Sequence, residues 1–403
     1  MLEELFTVHR KHIKDTSNKT KRYLYKQIDF NLQALCIFGS RGVGKTTMLL
    51  QYCIEKYDGN PEKCLYFSGD HVSTINYGLY NIAKEYFKHG GESIIIDEVH
   101  KYPNWAQEVK NIIDIYKEKK IILSGSSQFS LVKGKYDLSR RVVYYELGGL
   151  SFREFLNFET KSHFEKIDFQ HLIKNHVKCA EDIASKISVF KYFKEYLRIG
   201  YYPFYLEGKN AFFNRVNNVI EKILFEDIGT IYNVKQTHIP TLKKILWLIS
   251  SSSPFIPNID KMSRELKISK EYVYNYLNYL ETTGLVMNLR YEAEGFKLIR
   301  KPAKVYIENT NLISAITGAI NLSFDIGSLR ETFFVNQLRN KGLIVTTHEK
   351  ADFLVNNKIV FELGGNSKTS KQITDIKNAY LVQDNIEIGY LNKIPLYLFG
   401  FLY

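Results

Sequence analysis

The sequence predicts an α/β protein: a five-stranded parallel sheet covered by helices, then a helical segment, then a mixed α+β region. Three observations predict it. Over residues 1–150, short continuous apolar runs alternate with helical periods, the pattern of a parallel sheet buried on both faces. A glycine-rich loop separates the first apolar run from the first helix. After Gly318 the alternation of helix and short strand returns, following a long stretch of helical spacing that ends at SSSSP (250–254).

The strand candidates are ALCIF (34–38), CLYFS (64–68), SIIID (93–97), KIILS (120–124) and VVYYEL (142–147). Helical stretches fall near 75–88 and 104–117, and another starts at Lys45 with apolar Met48, Leu49, Cys53, Ile54 and Tyr57. A chain of 403 residues exceeds what one core organises, so two to four domains are expected. We place them at 1–150, 151–254, 255–317 and 318–403. The last should hold a helix at 327–341, strands near 343–347, 352–355 and 358–363, and a final strand in the apolar tail IPLYLFGFLY.

Composition narrows the class. Hydrophobic residues make up 45% and charged residues 24%, enough to bury cores and too apolar for wholesale disorder. No run of about 18 apolar residues suggests a membrane span, and MLEELFTVHRKHIKD lacks the apolar centre of a secretory signal. The four cysteines have no CxxC spacing and read as reduced thiols. A cytoplasmic protein with no membrane partner is expected. The net charge of +12 invites nucleic acid, although a chain rich in Lys, Asn, Ile and Tyr acquires such charge from AT-rich coding alone.

GSRGVGKT (39–46) follows a strand and opens a helix, the context a phosphate-binding P-loop requires. Gly39, Gly42 and Gly44 leave room for the backbone to approach phosphate. The amides of Ser40, Arg41, Val43 and Thr47 add donors at the helix N-terminus. Lys45 is expected at the β- and γ-phosphates of ATP, and the Thr46 hydroxyl on Mg²⁺. Asp97 ends the apolar run Ile94–Ile96 and is expected to hold a Mg²⁺-bound water. Glu98 should polarise the attacking water. Ser124 ends another strand, either as a sensor of the γ-phosphate or as a turn former.

DEVHKYPNW (97–105), SGSS (124–127) and LSRRVVYYELGGLSFREF (138–155) resemble the AAA+ family ATPases of bacteria and archaea that carry a DUF4143 C-terminal region. The resemblance spans most of the chain. It implies an AAA+ fold, a sensor role for Ser124, and a function for Arg141, which matches the family arginine. From there Arg141 would reach a γ-phosphate in a neighbouring subunit of a homo-oligomer; the other reading is a surface arginine. YLRIGYYPFYL (196–206) resembles the family's lid turn through Gly200 and Pro203, with Tyr201 replacing a glycine.

Residues 259–312 read as a winged helix-turn-helix. IDKMSRELKI supplies one helix, and KEYVYNYLNYLETTG the next, with Val273, Tyr276, Leu277 and Leu280 on one face. Lys270, Tyr274, Asn275 and Asn278 point outward. A basic hairpin follows with Arg290, Lys297, Arg300, Lys301 and Lys304. Such a module grips duplex DNA or serves as a protein-binding unit. GSLRETFFVNQL and ADFLVNNKIVFELGG resemble a PD-(D/E)xK nuclease-like domain. The resemblance implies Asp352 and Glu362 as metal-binding acids and Glu331 on the preceding helix. Gly364 stands at the lysine position. Lys368, beyond the GGNS run, either swings in toward the acids or stays away at an entropic saving, and the favoured reading is a catalytically silent domain used for binding.

Overall fold

A computed structural model describes the chain except residues 18–19, 126–137, 139, 161, 230–231, 253, 292–301, 320–325 and 366–367. The described residues form two compact units, Met1–Gly149 and Leu150–Tyr403.

The first unit is built on five parallel strands: β1 (Ala34–Phe38), β2 (Cys64–Ser68), β3 (Ser93–Asp97), β4 (Lys120–Gly125) and β5 (Val143–Glu146). Their order is β2-β3-β4-β1-β5. The apolar runs of β1 to β4 bury both faces, with Leu35, Cys36, Ile37 and Ile94 to Ile96 wholly enclosed, while β5 at the sheet edge is exposed or half-buried. Strand β4 lies between β1 and β3, with Ser124 opposite Ile37 and Leu123 opposite Ile96. The carboxyl ends of these three strands therefore finish level, at the edge where open α/β sheets place ligands.

Helix α1 (Leu2–Asp15) covers the free edge of β2. Buried His9 accepts the Tyr66 backbone N–H at Nδ1 (3.0 Å). That leaves Nε2–H to donate to the Gly59 carbonyl (3.1 Å). Helix α2 (Lys45–Tyr57) follows β1, and α5 (Trp105–Ile115) precedes β4. The helical stretch expected near 75–88 is two helices, α3 (Val72–Tyr77) and α4 (Leu79–Lys88). Gly78 between them has φ +83°, which breaks the helix.

The second unit begins with α6 (Phe152–Thr160), α7 (Phe169–Ala184), α8 (Val189–Ile199), α9 (Phe212–Lys222) and α10 (Ile239–Ser251). Then come α11 (Ile259–Leu266), capped by the Asn258 side chain, and α12 (Lys270–Thr282), capped by Ser269. The α12 residues Val273, Tyr276, Leu277 and Leu280 are buried, while Lys270, Tyr274 and Asn278 are exposed and Asn275 is half-buried. An antiparallel pair follows, β6 (Val286–Leu289) with β7 (Lys304–Ile307). Of the basic positions between Arg290 and Lys304, Lys297, Arg300 and Lys301 lie outside the described residues.

After α13 (Thr310–Ala319) and α14 (Ile326–Asn340), a mixed sheet forms from β8 (Val345–Thr346), β9 (Phe353–Val355), β10 (Ile359–Gly364), β11 (Ala379–Gln383) and β12 (Lys393–Pro395). It runs β12-β11-β10-β9-β8, with β8 and β9 antiparallel and the other pairs parallel except β9–β10. The apolar tail differs from the single strand expected. Strand β12 ends at Pro395, which has no N–H to continue a ladder, and residues Leu396–Phe401 form a 3-10 helix. All of its side chains are buried, so an apolar run without alternation marks burial on every side here.

Candidate active site

The site is assembled at the carboxyl ends of β1, β3 and β4. Between β1 and α2 the loop turns through Gly42 (φ +83°) and Gly44 (φ +96°), conformations that side chains resist. Gly39 has the tightest surroundings: a Cβ there would sit 2.2 Å from the Leu147 carbonyl oxygen. Val43 is buried, and its carbonyl accepts from the Arg22 guanidinium. The other arm of Arg22 donates to the carbonyls of Gly148 and Gly149, each at 2.8 Å. A buried arginine thus ties the loop to the chain leaving β5. Ser40 and Arg41 lie half-buried in the loop, and Thr47 is exposed on the first turn of α2.

Lys45 opens α2 and is only 6% exposed. Its ammonium donates to the carbonyls of Gly39 (2.8 Å) and Ser40 (2.9 Å), so it is held inside the loop. Thr46 follows, and its hydroxyl donates to Asp97 Oδ2 at 2.6 Å. Asp97 is buried and receives further donors. Tyr66 on β2 donates to Oδ2 (2.9 Å), Ser124 on β4 donates to Oδ1, and the Glu98 backbone N–H donates to Oδ1 (3.1 Å). Both carboxylate oxygens are fixed from four directions. Glu98 has φ +49°, a turn that swings its side chain away from the strand line. Its carboxylate lies 3.7 Å from His100 Nε2.

The structure therefore brings Lys45, Thr46, Asp97, Glu98 and Ser124 together at one edge. Arg141 is engaged elsewhere: it forms a two-armed pair with Asp114 at 2.6 and 3.0 Å. The guanidinium holds the exposed Asp114 carboxyl below its ordinary range. Sequence reasoning missed Arg22 and Tyr66. The signal for Tyr66 was a phenol within an otherwise apolar strand, two residues before its end. Arg22 carried no local signal, because its partners lie about 20 and 126 residues away.

The residues fit a magnesium nucleotide. A hydroxyl and a carboxylate, hard oxygen ligands of the kind Mg²⁺ takes, lie in contact at Thr46 and Asp97. A loop free of side chains at Gly42 and Gly44 stands beside them, with one ammonium enclosed. Residues 31–156 match the AAA domain family. In the second unit, residues 190–323 match a domain of unknown function, DUF8612, and not the DUF4143 region that the sequence motifs resemble.

The chain is 27% identical over 384 residues to the uncharacterised protein MJ1637 of Methanocaldococcus jannaschii, covering 89% of this chain and 80% of that one. It is 25% identical to MJ1544 of the same organism, covering 76% and 67%. Among solved structures, it is similar to the Walker-type ATPase paby2304 of Pyrococcus abyssi, with TM-score 0.43, 11% identity, and coverage of 75% of this chain and 99% of that chain. Cdc6p of Pyrobaculum aerophilum aligns with TM-score 0.30 at 11% identity, covering 86% and 92%. Among the described residues no helix is long and apolar enough to cross a membrane.

The acids of the second unit form a separate cluster. Asp352 Oδ2 accepts the Leu363 N–H (2.8 Å), and Oδ1 lies 3.7 Å from the Lys304 ammonium. Glu362 Oε2 accepts the Asp352 N–H (3.2 Å), and Oε1 pairs with Lys368 at 2.5 Å. Of the two placements open to Lys368, the structure shows the one in which it swings in to the acids. Gly364 explains its approach, because a Cβ there would sit 2.3 Å from the Lys368 Cβ. The absent side chain at 364 is the space Lys368 fills. Glu331 accepts from the Tyr306 hydroxyl at 2.5 Å, and burial, followed by the nearby Asp352 charge, pushes its carboxyl up to about 7. Every oxygen of Asp352 and Glu362 already faces a protein donor or ammonium. Among the described residues no group of three or more His, Cys, Asp or Glu is arranged to hold a metal ion.

Proposed function

We propose that the AAA domain binds ATP with Mg²⁺ and hydrolyses it. The observation that carries this reading is the meeting of Thr46 and Ser124 on Asp97, beside a glycine loop that encloses Lys45. Backbone amides of residues 39–47 and the start of α2 receive the phosphates. Lys45 turns from its loop carbonyls to the β- and γ-phosphate oxygens. Thr46 and Asp97 hold Mg²⁺, which supplies charge neutralisation across the phosphates. Glu98 orients the attacking water and accepts its proton. Ser124 fixes the Asp97 carboxylate, a positioning role in place of direct contact with phosphate.

The test is steady-state phosphate release with and without duplex DNA. Lys45→Ala should abolish nucleotide binding or turnover, and Glu98→Gln should bind ATP and retain it unhydrolysed. Normal turnover in the Glu98→Gln protein refutes the assignment of that residue. Stimulation by DNA supports duplex contact through a winged helix formed by α11, α12 and the β6–β7 pair. Tight ATP binding with negligible turnover would favour a nucleotide-gated switch that senses a protein partner. For the second unit, the ion pairs of Lys304 and Lys368 support a nuclease-like fold without the nuclease's metal. It then acts as a binding element and not as an ATP-gated nuclease.

A further inference from the structure

Asp97 is held from a direction that the phosphate loop does not explain. Tyr66 stands on β2, the edge strand, opposite Ile95 of β3. Side chains two apart on a strand share a face, so Ile95 and Asp97 point alike and Tyr66 leans along that face to Asp97. Its hydroxyl reaches Asp97 Oδ2 at 2.9 Å, the same oxygen that Thr46 contacts at 2.6 Å. The phenol ring is 4% exposed and meets the His12 ring of α1 edge-on, with centroids 5.2 Å apart. Its backbone N–H is fixed by His9 of the same helix. Three contacts, two of them from α1, leave the hydroxyl a single direction.

We infer that Tyr66 is a positioning residue for Mg²⁺: its hydroxyl and ring, seated by His9 and His12, hold the Asp97 carboxylate in the orientation the metal needs. The inference rests on the reading of Asp97 and Thr46 as the Mg²⁺ site and deepens it. Groups that orient a metal ligand from behind typically change metal affinity or activity by about 10–100-fold when removed. Tyr66→Phe keeps the ring, its packing and its backbone hydrogen bond, and removes one donor. The effect should therefore appear in metal affinity and leave nucleotide contact intact.

The experiment uses the full chain and Mn²⁺ as the probe, followed by its electron paramagnetic resonance signal in the presence of ATP. Nucleotide affinity in EDTA is measured in parallel. In Tyr66→Phe, Mn²⁺ affinity should fall about 10-fold, while metal-free nucleotide affinity and the thermal midpoint of the first unit stay close to wild type. In an Asp97→Asn background the same substitution should have no further effect on Mn²⁺, because the two residues act on one ligand. Mn²⁺ affinity unchanged in Tyr66→Phe, or an equal loss with and without Asp97, overturns the inference alone. Wild-type protein that binds ATP without enhanced Mn²⁺ binding would overturn the Mg²⁺ site as well. If Tyr66→Phe loses its fold, His12→Leu, which removes a ring contact and leaves the hydroxyl, is measured instead. A weakened Mn²⁺ site is expected there, and wild-type affinity counts against the inference.

Discussion

Glu331 lies on α14, half-buried, with its carboxylate on the Tyr306 hydroxyl. Burial disfavours its charge, and the Asp352 carboxylate adds repulsion, so its titration moves from an ordinary 4.5 to about 7. Because the folded value is the higher one, the folded protein holds a proton that the unfolded chain has already released between those limits. The contribution of this residue to stability is therefore full below about pH 4.5, declines as pH rises, and is lost above about pH 7. At about 1.4 kcal/mol for each pH unit separating the two values, the ionised residue costs the second unit about 3 kcal/mol.

Glu331→Gln keeps the shape and still accepts from Tyr306, but it has nothing to ionise. It should raise the stability of the second unit by about 2–3 kcal/mol at pH 8 and leave it nearly unchanged at pH 5. The measurement is urea unfolding followed by Trp247 in a Trp105→Phe background, since these are the two tryptophans of the chain. A gain of equal size at both pH values would mean that packing, not ionisation, separates the two proteins. No gain at pH 8 would mean that Glu331 titrates normally, and the reasoning would be refuted.

Two further substitutions test the exposed arginine and the C-terminal acids. If Arg141 completes a neighbouring subunit's site, the ATPase rate per subunit should rise with protein concentration, and Arg141→Ala should lower it with nucleotide affinity little changed. A concentration-independent rate untouched by the substitution leaves Arg141 as the surface partner of Asp114. In the second unit, linear and supercoiled DNA should survive incubation with Mg²⁺ or Mn²⁺ and ATP. Cleavage lost in both Asp352→Ala and Lys368→Ala would make Lys368 a catalytic cation and overturn the silent reading.

The five parallel strands and the phosphate loop were legible because they rest on local signals. Ile94, Ile95 and Ile96 form an unbroken apolar run, and glycines at 39, 42 and 44 bracket the loop. Residues whose partners are remote left no such trace. Tyr66 depends on a register with β3 that no local pattern fixes, and Arg22 depends on carbonyls contributed from two distant turns. The place of Lys368 stayed open in the sequence for a related reason. It lies four positions after Gly364, and only packing reveals that the missing side chain there is what admits the lysine. The tail was misread because an apolar run without alternation specifies burial and leaves the backbone conformation open.

Strand β2 has consequences for how this protein meets copies of itself. One side of it pairs with β3, and the other would present a row of backbone donors and acceptors as a template for a stray strand. His9 occupies one of those donors, and α1 lies along the edge. The helix thus acts as a guard on solubility as well as a support for Tyr66. Shortening the chain before Asp15 would uncover CLYFS, a segment of high β-propensity without a charge or proline to interrupt it. Self-association through that edge, and not merely a weaker fold, is the cost to anticipate when the N-terminus is trimmed or replaced by a fusion.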